Sequence, residues 1–400
     1  MDAWTPLEAA IAQVPEADRE RCLVLAAGAR ARVTGDASPL GALAPLSRLQ
    51  ALAYFAAARP PVDAGGAAVV RAALDELAWP WPTTGLALAL RFGLEPPARP
   101  DGSWLVAALQ TAVGWGLDGA DAIARAARQL GAEDIGTDTV RLAALEAMDA
   151  AGDEALAIAR AIAFPALRMH GLFVAALAGA SPDPLEAEAV RVEVALDELW
   201  PGVADAELAA LTGREAPLDQ AIMVLDKPTT LETRFRLWRV LFRAATRFGV
   251  QRWRLLVERL REDKALMRDG AMRGNLLWEA TTSAHLLPSP EARADGLGAL
   301  AEGARRLPDA GLRALVYAEM ARLLATVPGS SPAIWIDEAK KILTARTGTP
   351  ETHLPQTLRA LATLDPNGAA RLVEALPRAA DRVLGFALIA EITGGARAAT

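Results

Sequence analysis

The arginines between residues 231 and 273 are the side chains best suited to chemistry in this chain. From Arg234 to Arg273 there are 12 basic and 4 acidic residues, a local charge of +8 in a protein whose net charge is −7. At about 100° per residue, four of them fall within an arc of about 80° on one helix face: Arg236, Arg239, Arg243 and Arg247. We call these four the arginine stripe. Guanidinium groups pair with carboxylates and phosphates, so the stripe could hold an anion.

The arginine stripe is open to two interpretations. A solvated helix face is the simpler one, provided that acids pair with the arginines, and Glu258, Glu262 and Asp263 are local candidates. Alternatively, the stripe binds a partner together with Arg252 and Arg254 on the following helix. An acidic protein segment is then a better partner than nucleic acid, because dedicated nucleic-acid binders are usually basic overall. These six arginines are therefore the predicted partner-binding residues.

Other residues that could support catalysis or metal binding are few. The chain has three histidines and one cysteine, and none of them is spaced as a pair of zinc ligands. Glu279 and His285 lie in one small polar cluster, which suits either a hydrogen-bonded helix end or a proton-transfer site. We therefore predict no catalytic residue, no metal and no cofactor. A cleft that brought Glu279, His285 and the arginines together would instead favour an enzyme.

One glycine motif matches the signature of a cofactor-binding fold but lacks the preceding strand that the signature requires. Gly114, Gly116 and Gly119 fit the G-x-G-x-x-G pattern of dinucleotide-binding folds. That pattern must follow a strand, but residues 103–113 have the pattern of a helix. The glycines are therefore predicted to end one helix and to form the turn before the next.

Amphipathic helices must position these side chains. Hydrophobic residues make up 52% of the chain and aromatic residues only 5%, so most apolar side chains are small and aliphatic, as in alanine and leucine, the strongest helix formers. Repeated Ser-Pro, Thr-Pro and Asp-Pro pairs match a capping residue followed by proline at the first helical position. Valine, isoleucine and tyrosine never form an alternating strand pattern. The chain is therefore predicted to be all-α.

A recurring phrase predicts that these helices form repeats. A proline followed closely by an arginine opens several helices, and Pro165, Pro228 and Pro290 are separated by 63 and 62 residues. Each separation equals two units of roughly 31 residues, within the range of helical-pair repeats. The phrase Ala-Leu-Asp-Glu-Leu also occurs twice, just before Trp79 and directly before Trp200. We predict a right-handed solenoid of antiparallel helix pairs, with these two tryptophans in equivalent positions.

Two stretches resemble known helical repeats. Leu286 to Ala301, with Pro290 and Arg293 at its turn, resembles the turn and second helix of a HEAT-type repeat. The alanine spacing of residues 155–162 resembles tetratricopeptide packing, although the Trp/Leu-Gly/Tyr pattern of that repeat is missing. The resemblance implies an αα superhelix that serves protein interaction, and it carries over no catalytic residues.

The domain organisation is predicted from a change in composition. The chain is alanine-rich before residues 201–228 and rich in arginine, tryptophan and phenylalanine after them. We therefore predict N-terminal helical repeats over residues 1–200 and C-terminal repeats over residues 201–392, which include the basic segment 231–273. Residues 393–400 are predicted to be a frayed tail.

We predict the localisation from the lack of signal-peptide and membrane-span patterns, and the function from the helical repeat. The chain begins without the charged and apolar regions of a signal peptide, and its uncharged apolar runs are shorter than the roughly 18 residues of a membrane span. A single cysteine, Cys22, fits a reducing compartment. We expect a cytoplasmic, bacterial, non-catalytic interaction scaffold without membrane contact. The alternative is an anion- or nucleic-acid-binding factor, possibly an enzyme, that uses the surface of residues 231–273.

Overall fold

The protein is built from α-helices. A computed structural model describes these residue ranges: 4–56, 64–148, 152–195, 200–266, 269–345 and 353–398. Within these ranges there are 22 α-helices and three short 3₁₀-helices, and no β-strand. The predicted all-α class is therefore confirmed. In the same ranges, no helix is both long enough and apolar enough to cross a membrane.

The described residues fall into two compact units. The first contains the chain up to Pro182 together with the residues from Arg382 onward, and the second contains Asp183–Asp381. This division reflects contacts, whereas the boundary at residue 200 rests on composition. The domain organisation drawn from the sequence therefore stays a prediction.

The first unit contains ten helices from the start of the chain and most of the last helix. They are α1 (Trp4–Ala12), α2 (Glu16–Thr34), α3 (Pro45–Ala56), α4 (Ala64–Asp75), α5 (Thr83–Arg91), α6 (Gly102–Gly114), α7 (Gly119–Leu130), α8 (Ile135–Ala147), α9 (Asp153–Arg160), α10 (Pro165–Leu177) and α22 (Ala379–Ala398), with a 3₁₀-helix at Ser38–Ala42. The last helix lies against the second, because Arg32 Nη1 is 2.8 Å from Glu391 Oε2. The two ends of the described chain therefore share one unit.

The second unit contains eleven helices and part of α22. They are α11 (Pro184–Val194), α12 (Val203–Thr212), α13 (Glu215–Val224), α14 (Leu231–Ala245), α15 (Val250–Glu262), α16 (Gly270–Ser283), α17 (Pro290–Arg305), α18 (Ala310–Ala325), α19 (Ala333–Ala345), α20 (Leu354–Leu364) and α21 (Pro366–Glu374), with 3₁₀-helices at Thr246–Phe248 and Ala284–Leu286. Trp238, Phe242 and Trp253 are among the largest side chains that are fully buried. They fix α14 and α15 in the core of this unit.

Helices of the second unit pack in two rows. In one row, which we call the α14 row, α12, α14, α16, α18 and α20 lie side by side, and α15 packs against α17 in the other, which we call the α15 row. From α11 to α19, consecutive helices also contact each other, as helical-pair repeats require. The helices α14, α16 and α18 begin 39 and 40 residues apart. The superhelix and its unit of roughly 31 residues stay predictions.

The proline-arginine phrase has a structural cause. Arg313 Nη1 donates a hydrogen bond to the carbonyl oxygen of Leu307 at 3.1 Å, and Arg293 Nε donates to that of Leu287 at 3.2 Å. The same bond joins two further pairs: Arg48 to Leu43, and Arg234 to Leu225. Carbonyl groups at a helix end lack intrahelical partners, so an arginine early in the next helix satisfies one of them. The phrase therefore ties each helix to the turn before it.

The two tryptophan phrases have different surroundings. Trp79 packs against Trp81 and Trp104, with ring centroids 5.3 and 5.8 Å apart. Trp200 lies beneath the guanidinium of Arg236, at 4.4 Å from its ring centroid. Residues 196–199 of the second phrase lie outside the described residues. The equivalence of the two tryptophans stays a prediction.

The glycine motif between α6 and α7 is a helix-to-helix turn. The residues before Gly114 form α6, as the sequence predicts, and Gly116 adopts a left-handed conformation with φ of +94°. The carboxylate of Asp118 then accepts a hydrogen bond from the backbone N–H of Asp121 and caps α7. The strand that dinucleotide binding requires is replaced here by a helix.

Candidate functional site

Helix α14 holds the arginine stripe at the surface. The hydroxyl of Thr230 accepts a hydrogen bond from the backbone N–H of Thr233 at 3.1 Å, and this cap starts the helix. Trp238 and Phe242 are fully buried on the opposite face, and their rings stack with centroids 5.3 Å apart. Because this apolar face is anchored, the stripe must face away from the core.

Two arginines of the stripe share one carboxylate. Arg239 Nε lies 2.9 Å from Glu279 Oε1, and Arg243 Nη2 lies 3.5 Å from Glu279 Oε2. Glu279 belongs to α16, the next helix of the α14 row, and its side chain is only 14% exposed, whereas those of Arg239 and Arg243 are 44% and 34% exposed. The carboxylate is thus covered by guanidinium groups that still face solvent.

The other two arginines of the stripe differ in how they are held. Arg236 Nη2 forms an ion pair with Glu232 Oε1 at 3.1 Å and lies over the ring of Trp200, which adds a cation–π contact. Arg247 follows α14 in a 3₁₀-helix, is exposed, and forms no ion pair with any residue that the structure describes. The four cations of the stripe therefore face two carboxylates.

Arg252 and Arg254 do not join this surface. Both lie on α15, where Arg252 forms an ion pair with Asp219 of α13, and Arg254 Nη1 lies 3.5 Å from Asp295 Oδ2 of α17. The partner helices α13 and α17 are not members of the α14 row. The six arginines that the sequence groups together are therefore divided between two helix rows.

The acids that the sequence offers as partners of the stripe are not the ones used. Asp263 pairs with Arg234 instead, at 2.9 Å between Oδ2 and Nε. Glu258 and Glu262 form no ion pair with the stripe. Glu279 takes their place because packing of α14 on α16 brings it near, and sequence distance gives no sign of this contact.

Glu279 and His285 occupy separate places. No hydrogen bond or ion pair joins the two side chains, both of which the structure describes. Burial first, and then the positive charges of Arg322 and Arg293, lower the pKa of His285 from 6.5 to about 4. Glu279 thus pairs with the arginine stripe, whereas the charges that act on His285 are those of Arg322 and Arg293.

The hydroxyls near this helix end are used for hydrogen bonds. Ser283 Oγ accepts from the indole N–H of Trp253 at 3.0 Å and donates to the carbonyl of Ala280, while Thr282 donates to the carbonyl of Glu279. This matches the helix-end interpretation of the polar cluster. Across the described part of the chain, no group of three histidine, cysteine, aspartate or glutamate residues is placed to hold a metal ion.

A buried network that sequence reasoning missed lies behind the stripe. The carboxylate of Asp263, with a side chain 3% exposed, accepts from Arg234 Nε and from the indole N–H of Trp238, both at 2.9 Å. Arg234 and Asp263 form one wall of a cleft of about 550 Å³, where Arg259 pairs with Asp226 at 2.6 Å. The phrase Leu225–Pro228–Arg234 marks Arg234 in the sequence but does not reveal its burial. Both Asp263 oxygens accept hydrogen bonds, so this network joins α14 to the residue that follows α15.

Comparison with known proteins found no matching family model, no matching curated protein and no matching solved structure.

Proposed function

We propose that this protein is a non-catalytic interaction scaffold whose arginine stripe binds an acidic segment of another protein. The observation that supports this most is the sharing of Glu279 by Arg239 and Arg243, which leaves two guanidinium groups with one carboxylate between them. Arg247 adds an exposed cation just beyond the end of α14. A partner carboxylate would supply the missing negative charge.

The ion pairs already present do not prevent this binding. Because Arg239 and Arg243 are 44% and 34% exposed, their outward N–H donors can bind an incoming carboxylate while the pairs with Glu279 are kept. Glu279 meanwhile holds Arg239 and Arg243 side by side, and Trp200 supports Arg236. Side chains that are ordered before binding lose less conformational entropy on binding, which favours affinity.

The dimensions of the stripe favour a peptide over nucleic acid. From Arg236 to Arg247 the helix rises about 16 Å, at about 1.5 Å per residue. An extended peptide of about five residues spans this length. The surface is one helix wide, because Arg252 and Arg254 lie in the other row, and Glu232 and Glu279 interrupt its positive charge. A phosphate backbone is better served by a broad and uniformly basic face.

The row packing supports a finer proposal for the architecture. Helices two apart lie side by side, as in the HEAT and tetratricopeptide arrays that the sequence resembles. We propose a right-handed αα superhelix of antiparallel helix pairs, acting in the cytoplasm. Its α14 row would present the stripe to the partner.

The experiment measures binding of a fluorescein-labelled oligoglutamate peptide by anisotropy. We expect Arg239→Gln/Arg243→Gln to weaken binding about tenfold or more, because each lost charge-assisted contact is worth about 1.5–3 kcal/mol. The matched control is Arg254→Gln, which removes a similarly exposed, singly paired arginine from the other row and should bind as the wild type does. Circular dichroism verifies that each variant is folded.

The same assay distinguishes the scaffold proposal from the alternative of an anion- or nucleic-acid-binding factor. A single-stranded oligonucleotide of equal charge is titrated beside the peptide. Tighter binding of the oligonucleotide would favour an anion- or nucleic-acid-binding factor and would contradict the scaffold proposal. Equal peptide binding by wild type and by a folded Arg239→Gln/Arg243→Gln variant would exclude the stripe as the binding surface.

A further inference from the structure

A second group of arginines surrounds a single carboxylate at the end of α17. Glu302 forms ion pairs with three of them: Arg306 Nη2 lies 2.7 Å from Oε1, Arg261 Nη2 lies 3.4 Å from the same oxygen, and Arg305 Nη1 lies 3.9 Å from Oε2. Arg261 comes from α15, and the other two close α17. One negative charge therefore faces three positive charges from two helices.

Arg273 of α16 brings a fourth positive charge to this group. It forms no ion pair with any described residue. Burial first, and then repulsion by Arg261 and Arg306, lower the pKa of its guanidinium. Close packing explains the proximity, because a Cβ at Gly270 would lie 2.7 Å from Pro308. The first turn of α16 is thus held against the end of α17.

The hydrogen-bonding capacity of this group is not used up. Arg261 Nε is buried and has no hydrogen-bond partner among the described residues. A guanidinium has five N–H donors in a planar fork, so four of them around one carboxylate leave many donors free. Like charges gathered around one carboxylate repel one another, and an added anion would reduce that repulsion. The group therefore carries more positive than negative charge.

We propose that Arg261, Arg273, Arg305 and Arg306 form a binding site for the phosphoryl group of a small anionic ligand. Arginine forks match the oxygens of a phosphoryl group in pairs, and a dianion offsets more of the excess charge than one carboxylate does. Arg261, Arg305 and Arg306 converge from two helices on Glu302, and Arg273 of α16 is near enough to Arg261 and Arg306 to be repelled by them. Such a point suits a compact anion, whereas an extended chain would need a row of cations. The site lies apart from the arginine stripe and uses none of its residues.

The experiment measures binding of sodium phosphate and sodium pyrophosphate to the full chain by calorimetry, at constant ionic strength set with sodium chloride. Pyrophosphate should bind more tightly than phosphate, and both more tightly than chloride. Arg273→Gln should weaken pyrophosphate binding about tenfold or more, by loss of one charge-assisted contact. The matched control is Arg254→Gln. Arg254 lies on α15, as Arg261 does, but pairs with a single aspartate, so this variant should bind pyrophosphate as the wild type does.

Two further variants separate a binding role from a structural one. Because Arg273 has no acid to lose, Arg273→Gln should leave the melting temperature of the ligand-free protein unchanged or raise it. Glu302→Gln should tighten pyrophosphate binding, since it removes the competing carboxylate. ADP is titrated as well: affinity equal to that of pyrophosphate assigns the site to the phosphoryl groups alone, and higher affinity assigns it to a nucleotide.

Three results would overturn the proposal. One is the lack of a saturable response to phosphate and pyrophosphate in the wild type. Another is equal pyrophosphate affinity in wild type and Arg273→Gln. The last is tighter binding of a phosphoserine peptide than of pyrophosphate, which would show that the site recognises a protein and not a small anion.

Discussion

The guanidinium of Arg313 donates a hydrogen bond to the backbone carbonyl of Leu307, with Nη1 and the oxygen 3.1 Å apart. Leu307 lies between α17 and α18 and is buried, and Arg313 lies in the first turns of α18. The bond thus fixes the direction in which the chain enters the next helix. Its recurrence at Arg48, Arg234 and Arg293 makes it a general device of this fold.

We predict that Arg313→Ala lowers the free energy of unfolding by about 1.5 kcal/mol, because a hydrogen bond from a charged donor to a buried carbonyl is lost. Urea denaturation followed by circular dichroism measures this. Arg359→Ala is the control, since Arg359 is an exposed residue of α20 that makes no comparable bond to any residue in the described ranges. Equal stability of the two variants would show that the bond to Leu307 contributes nothing.

Replacing only one partner of the buried ion pair between Arg234 and Asp263 should lower the free energy of unfolding strongly. We predict that Arg234→Met destabilises the protein by about 3–5 kcal/mol, because it leaves a buried carboxylate without its cation. The double variant Arg234→Met/Asp263→Leu should recover much of this loss, since no buried charge remains. Urea denaturation of the two single variants and the double variant completes the cycle. A double variant as unstable as the sum of the single variants would contradict this account.

The buried His285 should make stability depend on pH. The folded protein holds the pKa of His285 at about 4, below the ordinary 6.5, so the unfolded chain takes up a proton that the folded chain excludes. Stability should therefore fall as pH drops from 6.5 toward about 4, and His285→Gln should remove this part of the fall. Urea midpoints of both proteins over this range test it. Parallel curves would mean that His285 is not desolvated in the fold.

The helices could be predicted from the sequence because their signals are local. Asp118, Ser289 and Asp309 cap α7, α17 and α18, as side chains that accept from the backbone N–H groups of the first turn. The repeat unit could not be read from proline spacing in the same way. Pro165 begins α10 in the first unit, whereas Pro290 begins α17 in the α15 row. The phrase therefore marks helix starts in general and not equivalent positions of a pair.

The sequence predicts the part of the candidate site that lies on α14, but not the contacts that α14 makes with other helices. The 3.6-residue period correctly places Arg236, Arg239 and Arg243 together on one face of α14, and in the structure that face lies opposite the buried Trp238. The partner Glu279 lies 36 residues beyond Arg243 on another helix. Such a contact depends on tertiary packing, and a helical wheel describes only the residues of a single helix.

The most direct measurement of the central claim is the affinity of the oligoglutamate peptide for Glu279→Gln. If Arg239 and Arg243 are the binding groups, the charge of Glu279 competes with the partner's carboxylate for them, while the amide oxygen of a glutamine can still hold them side by side. Glu279→Gln should therefore tighten binding about fivefold, the equivalent of about 1 kcal/mol. The gain should vanish when Arg239→Gln/Arg243→Gln is added. Unchanged or weaker binding by folded Glu279→Gln would contradict the stripe as an acidic-segment receptor.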